Sequence, residues 1–77
     1  MPQYATEAVY AALGARVRMI REALGINQAE LAKRAMLTRT SLTNIEAGRQ
    51  RMPVHQIELL ATALGVSPKH LLKGIWW

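Results

Sequence analysis

The sequence contains no cysteine, no aspartate and no phenylalanine. The lack of cysteine excludes disulfides and thiolate metal sites, which fits a reducing compartment. No apolar run approaches the roughly 20 residues that cross a bilayer. The first ten residues lack the basic start and apolar centre of a signal peptide. We therefore expect a soluble protein of the cytoplasm, with no membrane as its partner.

Negative charge is scarce, while positive charge is abundant. Ten Lys and Arg residues stand against five Glu residues, which gives a formal charge of +5 and a pI of about 10.5. A domain this basic favours polyanions, namely DNA, RNA or an anionic membrane surface, and charge alone does not choose among them. The 77 residues suffice for one small globular domain.

Apolar residues recur at steps of three and four, which predicts short helices and gives no sustained alternation for a strand. The expected helices are residues 5 or 6 to 24, 28–35, 39–47, the stretch between Pro53 and Gly65, and 68–72. Suitable N-cap residues are Thr6, Asn27, Thr38 and Ser67. We therefore predict an all-α fold.

The first helix carries an apolar stripe that continues into the predicted core. The stripe consists of Tyr10, Leu13, Val17, Ile20 and Leu24. The predicted core consists of Leu13, Val17, Ile20, Leu31, Leu37, Leu42, Ile45, Ile57, Leu60, Leu64 and Leu71.

The second and third helices are separated by only three residues, 36–38. So short a hinge forces a large crossing angle, as in a helix-turn-helix, in which the first helix supports the second. The second helix can then protrude, and it has a size that fits the major groove of B-DNA.

The outward side chains of this helix are all able to hydrogen-bond to base edges. They are Arg39, Thr40, Thr43 and Asn44. Arginine can bind guanine O6 and N7 together, asparagine can bind adenine N6 and N7, and a threonine methyl suits thymine. The helix starts at Asn27 and Thr38 offer free backbone N–H groups to phosphates.

Three stretches resemble one known family in order and spacing. They are LGARVRMIREALGINQAELAKRA, TSLTNIEAGR and PVHQIELLATALGVS. Over residues 13–72 the chain resembles the Cro/C1-type helix-turn-helix (XRE) family of phage and bacterial repressors. The resemblance implies a five-helix, lambda-repressor-like DNA-binding domain. We expect one domain over residues 1–77, with a family-like core at 13–72 and a short tail at 73–77.

The resemblance also implies roles for individual residues. It implies that Gln28 contacts the DNA backbone and sometimes a base, and that Arg39, Thr40 and Asn44 contact bases, with Thr43 beside them. It implies phosphate contacts by Arg49 and Arg51, and a small residue at Ala32 where the helices cross. It implies a buried salt bridge between Arg21 and Glu46. Glu46 is the only acid on its helix, and it lies on the inner side, where an unpaired carboxylate would be costly.

Two positions depart from the family pattern. Met36 occupies the turn where the family usually has glycine, so either the backbone is strained there or the turn differs. Val54 replaces a common Ser or Thr cap before the fourth helix.

Other residues give no sign of catalysis or of a metal site. His55 and His70 are not spaced with carboxylates as ligands, and Ser41 has no acid–histidine partners. We therefore expect no enzyme activity, no metal and no cofactor. Arg16 and Arg18 are expected to be solvated, and a solvated loop is an alternative for Arg49 and Arg51.

The sequence thus predicts a small transcriptional regulator that binds double-stranded DNA sequence-specifically and acts as a repressor. We expect it to be a bacterial or phage protein that associates with the nucleoid. Because one domain reads few base pairs, we expect a homodimer on a palindromic operator with half-sites roughly 34 Å apart. One alternative is an antitoxin-like or other protein-binding module that binds a partner through its C-terminal Ile-Trp-Trp tail, with Trp76 and Trp77 as the contact and DNA binding secondary. Another is a protein that coats nucleic acid without sequence preference, although aromatic stacking platforms are few.

Overall fold

The computed structural model describes residues 3–75, with side chains described from residue 7 onward. This part of the chain forms five α-helices and no strand. They are α1 (Gln3–Ala23), α2 (Gln28–Arg34), α3 (Arg39–Glu46), α4 (Val54–Leu64) and α5 (Pro68–Leu72). The predicted all-α, five-helix architecture is confirmed. No helix of these residues is both long enough and apolar enough to span a bilayer.

Side-chain caps start three of the helices, as predicted. Asn27, Thr38 and Ser67 each accept a hydrogen bond from the backbone N–H three residues on, at 2.8, 3.0 and 3.1 Å. The prediction of Thr6 as a cap is wrong, because α1 already begins at Gln3 and residues 3–5 contain no helix breaker. Helix α4 follows Pro53 and has no side-chain cap.

Each of the five helices is followed within two residues by a residue with left-handed backbone conformation. These residues are Gly25, Met36, Gly48, Gly65 and Gly74, with φ angles of 72°, 60°, 76°, 74° and 76°. After α2, the N–H of Leu37 donates to the carbonyl oxygen of Ala32 at 2.8 Å, which closes a Schellman turn. The sequence left open whether Met36 has a strained backbone or whether the turn differs. The structure has the strained, left-handed backbone at Met36.

The core lies where the five helices meet. Its buried residues are Leu13, Val17, Leu31, Ala32, Ala35, Leu42, Ile45, Met52, Leu60, Ala61, Leu64 and Leu71. The predicted core residues Ile20, Leu37 and Ile57 pack against it and are partly buried. Leu24 is 52% exposed, because α1 ends at Ala23 and the chain turns away there. The prediction that Leu24 belongs to the apolar stripe of the first helix is therefore wrong.

Two glycines allow α1 and α3 to approach each other closely. A Cβ atom on Gly14 would lie 2.0 Å from the carbonyl oxygen of Ile45, and one on Gly48 would lie 2.9 Å from Cα of Ala11. Any larger residue at position 14 would push the two backbones apart. The position of α3 on α1 therefore depends on backbone contact as well as on side-chain packing.

Candidate nucleic-acid interface

Helix α3 has one buried face and one outward face. Leu42, Ile45 and Glu46 are buried on the inner side. Arg39 and Thr40 are exposed, while Thr43 and Asn44 are half-buried. Only residues 35–38 separate α2 from α3, and the small Ala32 is buried on α2. The two helices thus form a helix-turn-helix with α3 supported from behind.

An ion pair joins α1 to the end of α3. Arg21 donates from Nε to Oε2 of Glu46 at 2.7 Å and from Nη2 to Oε1 at 3.0 Å. Its Nη1 donates to the carbonyl oxygen of Ile26 at 3.0 Å. The hydrogen bonds to Glu46 raise the pKa of Arg21 above its ordinary value. The carboxylate is therefore paired on both oxygens and fixes the end of α3 relative to α1.

Gln28 extends this hydrogen-bond network to the outward face of α3. Its Nε2 donates to Oε1 of Glu46 at 3.0 Å, and its Oε1 accepts from the hydroxyl of Thr43 at 3.1 Å. The Thr43 hydroxyl also lies 2.9 Å from the carbonyl oxygen of Arg39. Gln28 is half-buried at the start of α2, so the structure places it between the two helices. Sequence reasoning did not anticipate these contacts of its amide.

The loop after α3 also contacts that helix. Arg49 Nε lies 3.3 Å from Oδ1 of Asn44, and Gln50 Nε2 donates to the hydroxyl of Ser41 at 2.7 Å. Arg49 and Arg51 are both exposed. Sequence reasoning missed Gln50, because nothing in the sequence indicates that its amide reaches back nine residues to α3.

The phosphate contacts predicted at the helix starts involve residues that cap α2 and α3. Asn27 and Thr38 are exposed and use their side-chain oxygens to cap their own helices. The first N–H groups of each helix have no intrahelical acceptor, as at any helix start. Both starts precede residues that the sequence assigns to the interface, Gln28 and Arg39.

Arg16 and Arg18 behave differently from each other. Arg18 is exposed and pairs with Glu22 at 3.4 Å, as expected of a solvated residue. Arg16 is half-buried and donates to the carbonyl oxygens of His70 and Lys73, both at 3.1 Å. The expectation of a solvated Arg16 is therefore wrong, since it satisfies the last carbonyls of α5.

Acidic groups are absent from the outward face of α3. Its one acid, Glu46, is buried, so the outer surface presents an arginine, two threonines and an asparagine. Within residues 3–75, no group of His, Asp or Glu is placed to hold a metal ion. Trp76 and Trp77, suggested as a partner contact, lie outside the described residues.

The supported, outward-facing α3 and its acid-free surface are the features of a helix-turn-helix domain of DNA-binding transcription regulators. Residues 12–72 match the family model described as a helix-turn-helix domain, and the chain belongs to this family. The predicted resemblance to XRE-type, lambda-repressor-like domains is thereby confirmed.

Three known proteins illustrate the relationship. The chain is 40% identical over 60 residues to control protein C.BamHI of Bacillus amyloliquefaciens, a match that covers 77% of this chain and 74% of the relative. The restriction-modification controller protein C.AhdI from Aeromonas hydrophila has a TM-score of 0.80 at 34% identity, covering 83% of this chain and 97% of that one. The P22 c2 repressor protein in complex with a synthetic operator has a TM-score of 0.73 at 32% identity, covering 80% and 94%.

Proposed function

We propose that the chain is a sequence-specific double-stranded DNA-binding protein that regulates transcription, with α3 lying in the major groove. The observation that carries this proposal is the outward face of α3. Arg39, Thr40, Thr43 and Asn44 lie on that face, while the opposite side of the helix is buried. A helix supported in this way can present side chains to base edges.

The chemistry of that face suits base edges of the major groove. Arginine donates to guanine O6 and N7, asparagine carries both a donor and an acceptor, and threonine offers a hydroxyl and a methyl group. No carboxylate lies on the outward side to repel phosphates. We assign base contacts to these four residues. Gln28 adjoins them through Thr43, and we place it at the edge of the same surface.

Phosphate contacts are proposed for residues on both sides of α3. Arg49 and Arg51 are exposed in the loop that follows the helix, and Asn27 and Thr38 lie at the exposed starts of α2 and α3. Arginine supplies charge to phosphate oxygens, and helix starts supply free N–H groups and the positive end of the helix dipole. The net charge of +5 supports the same conclusion.

A single α3 has eight residues and is about 12 Å long, so it contacts only a few base pairs. We therefore propose a homodimer on a palindromic operator with half-sites roughly 34 Å apart. The P22 c2 protein is a repressor that was solved on a synthetic operator, which supports repression as the action of this chain too. We further propose one domain over residues 1–77, acting in the cytoplasm at the nucleoid.

The antitoxin-like alternative is not favoured. It depends on the tail formed by Ile75, Trp76 and Trp77, of which the two tryptophans lie outside the described residues.

Selection of bound sequences from a pool of random duplex DNA tests the proposal. We expect the wild-type chain to enrich an inverted repeat whose half-site centres are about 10 base pairs apart. The matched control is the Arg39→Ala, Asn44→Ala double variant, whose side chains are not part of the core. It should keep its helical circular dichroism and lose the enrichment. Wild-type protein that binds duplex DNA without enriching any sequence would contradict the proposal.

A further inference from the structure

Arg49 and Asn44 are linked through their side chains at the surface of the proposed interface. Arg49 Nε lies 3.3 Å from the side-chain oxygen of Asn44. A guanidinium group has donors only, so the amide atom that faces it must be the oxygen, Oδ1. The NH2 group of Asn44 therefore lies on the side of the amide away from that contact. The orientation of this amide is defined by its charged neighbour.

The backbone fixes the place from which Arg49 reaches Asn44. The N–H of Arg49 donates to the carbonyl oxygen of Asn44 at 2.9 Å, and Gly48 before it has a φ of 76°. Gly48 also approaches Ala11 on α1 so closely that an added Cβ would lie 2.9 Å from Cα of Ala11. The start of the loop is thus held between α1 and the end of α3. Arg49 has a fixed backbone position relative to Asn44.

Arg51 provides a contrast two residues further on. It is exposed in the same loop and carries the same charge. Within residues 3–75, no hydrogen bond joins its side chain to α3. Arg51 can therefore supply charge to a phosphate, but it has no contact through which to influence a base-reading side chain.

We propose that Arg49 is a positioning residue for base recognition, which holds Oδ1 of Asn44 on the loop side so that Asn44 presents its NH2 group to the DNA. This inference rests on the proposed function and refines it. With Oδ1 turned toward Arg49 and away from the DNA, Asn44 does not pair with both N6 and N7 of adenine, which is the contact expected from residue type alone. It donates to acceptors instead. Guanine carries two acceptors, O6 and N7, on its major-groove edge and is the base we expect at this position.

Binding measurements on single-base variants of the selected operator test this role. The proteins are wild type, Asn44→Ala, Arg49→Met and Arg51→Met. Methionine has no N–H donor for Asn44, and both methionine variants lose the same positive charge, so Arg51→Met controls for the lost phosphate contact. The Asn44→Ala variant identifies the position that Asn44 reads, as the one where base preference is lost. At that position we expect guanine to be preferred by wild type and Arg49→Met to reduce the preference about threefold or more. Arg51→Met should weaken binding to all sequences alike and leave every ratio of affinities unchanged.

The outcomes separate this inference from the proposed function. If wild type discriminates at no position, the proposed function itself fails. If wild type discriminates but Arg49→Met has wild-type ratios at the position identified by Asn44→Ala, only the role of Arg49 is overturned. The inference is also overturned if Asn44→Ala changes no base preference. The inference is supported if the double variant Asn44→Ala, Arg49→Met has the same base preferences as Asn44→Ala alone, since Arg49 then acts only through Asn44.

Discussion

Arg21 on α1 and Glu46 at the end of α3 are joined by two hydrogen bonds, of 2.7 and 3.0 Å, with only 11% and 3% of their side chains exposed. The pair connects the first helix of the chain to the helix that carries the proposed base readers. A buried pair of this kind stabilises little by itself, but removal of one partner leaves an unpaired buried charge.

We expect Arg21→Met to lower the free energy of unfolding by about 3–5 kcal/mol, because the Glu46 carboxylate stays buried without its cation. Urea denaturation followed by circular dichroism measures this change. The matched control is Arg18→Met on the same helix, which removes the same charge from an exposed pair with Glu22. That variant should lose less than about 1 kcal/mol. Equal losses in the two variants would show that the buried pair has no special role.

Met36 has a φ of 60° and is 80% exposed, so its side chain gives little packing in return for a strained backbone. We expect Met36→Gly to raise the free energy of unfolding by up to about 1 kcal/mol, because glycine adopts this conformation without the clash of a Cβ atom. Met36→Ala keeps the Cβ atom and should give no such gain. The strain would be disproved by a Met36→Gly variant that is less stable than Met36→Ala.

Gly14 contacts the backbone of α3 at Ile45, where a Cβ atom would lie 2.0 Å from the carbonyl oxygen. We expect Gly14→Ala to lower the free energy of unfolding by about 1–3 kcal/mol, since overpacking outweighs the better helix propensity of alanine. It should also weaken DNA binding by displacing α3. Gly25→Ala is a control: it has backbone strain, with φ at 72°, but no atom within 4 Å. Gly25→Ala should therefore lose stability without a change in base preference. A Gly14→Ala variant that is more stable than wild type would refute the close contact between α1 and α3.

Arg39 is exposed at the first position of α3. We expect Arg39→Ala to lose about 1–3 kcal/mol of binding free energy on the selected operator and to relax the preference at one base position. Titration of labelled operator variants measures both effects. The control Arg18→Ala removes an equal charge from α1 and should retain the base preference. Unchanged affinity and preference in Arg39→Ala would remove it as a base reader.

The sequence predicted those features that depend on local signals. Asn27, Thr38 and Ser67 start helices because each cap bonds within three residues of itself. The outward position of Arg39 and Thr40 follows from helical periodicity once Leu42 and Ile45 are assigned to the core. In contrast, α1 extends beyond its predicted start, because no residue there interrupts the helix.

Contacts between distant residues could not be predicted in the same way. Arg16 binds carbonyl oxygens 54 and 57 residues away, and burial of Met52 depends on how its loop folds onto the helices. The amides of Gln28 and Asn44 are oriented by Glu46 and Arg49, which no periodicity reveals. An interior helical glycine such as Gly14 was the one available signal of close backbone contact.

The most direct test of α3 in the major groove is protection of guanine N7 from dimethyl sulfate on the selected operator, since N7 lies in that groove. At saturating wild-type protein, we predict two protected clusters of guanines roughly 34 Å apart. Saturating Arg39→Ala should leave one guanine per half-site reactive while the others stay protected. Guanines that all remain reactive under saturating wild-type protein would contradict the account.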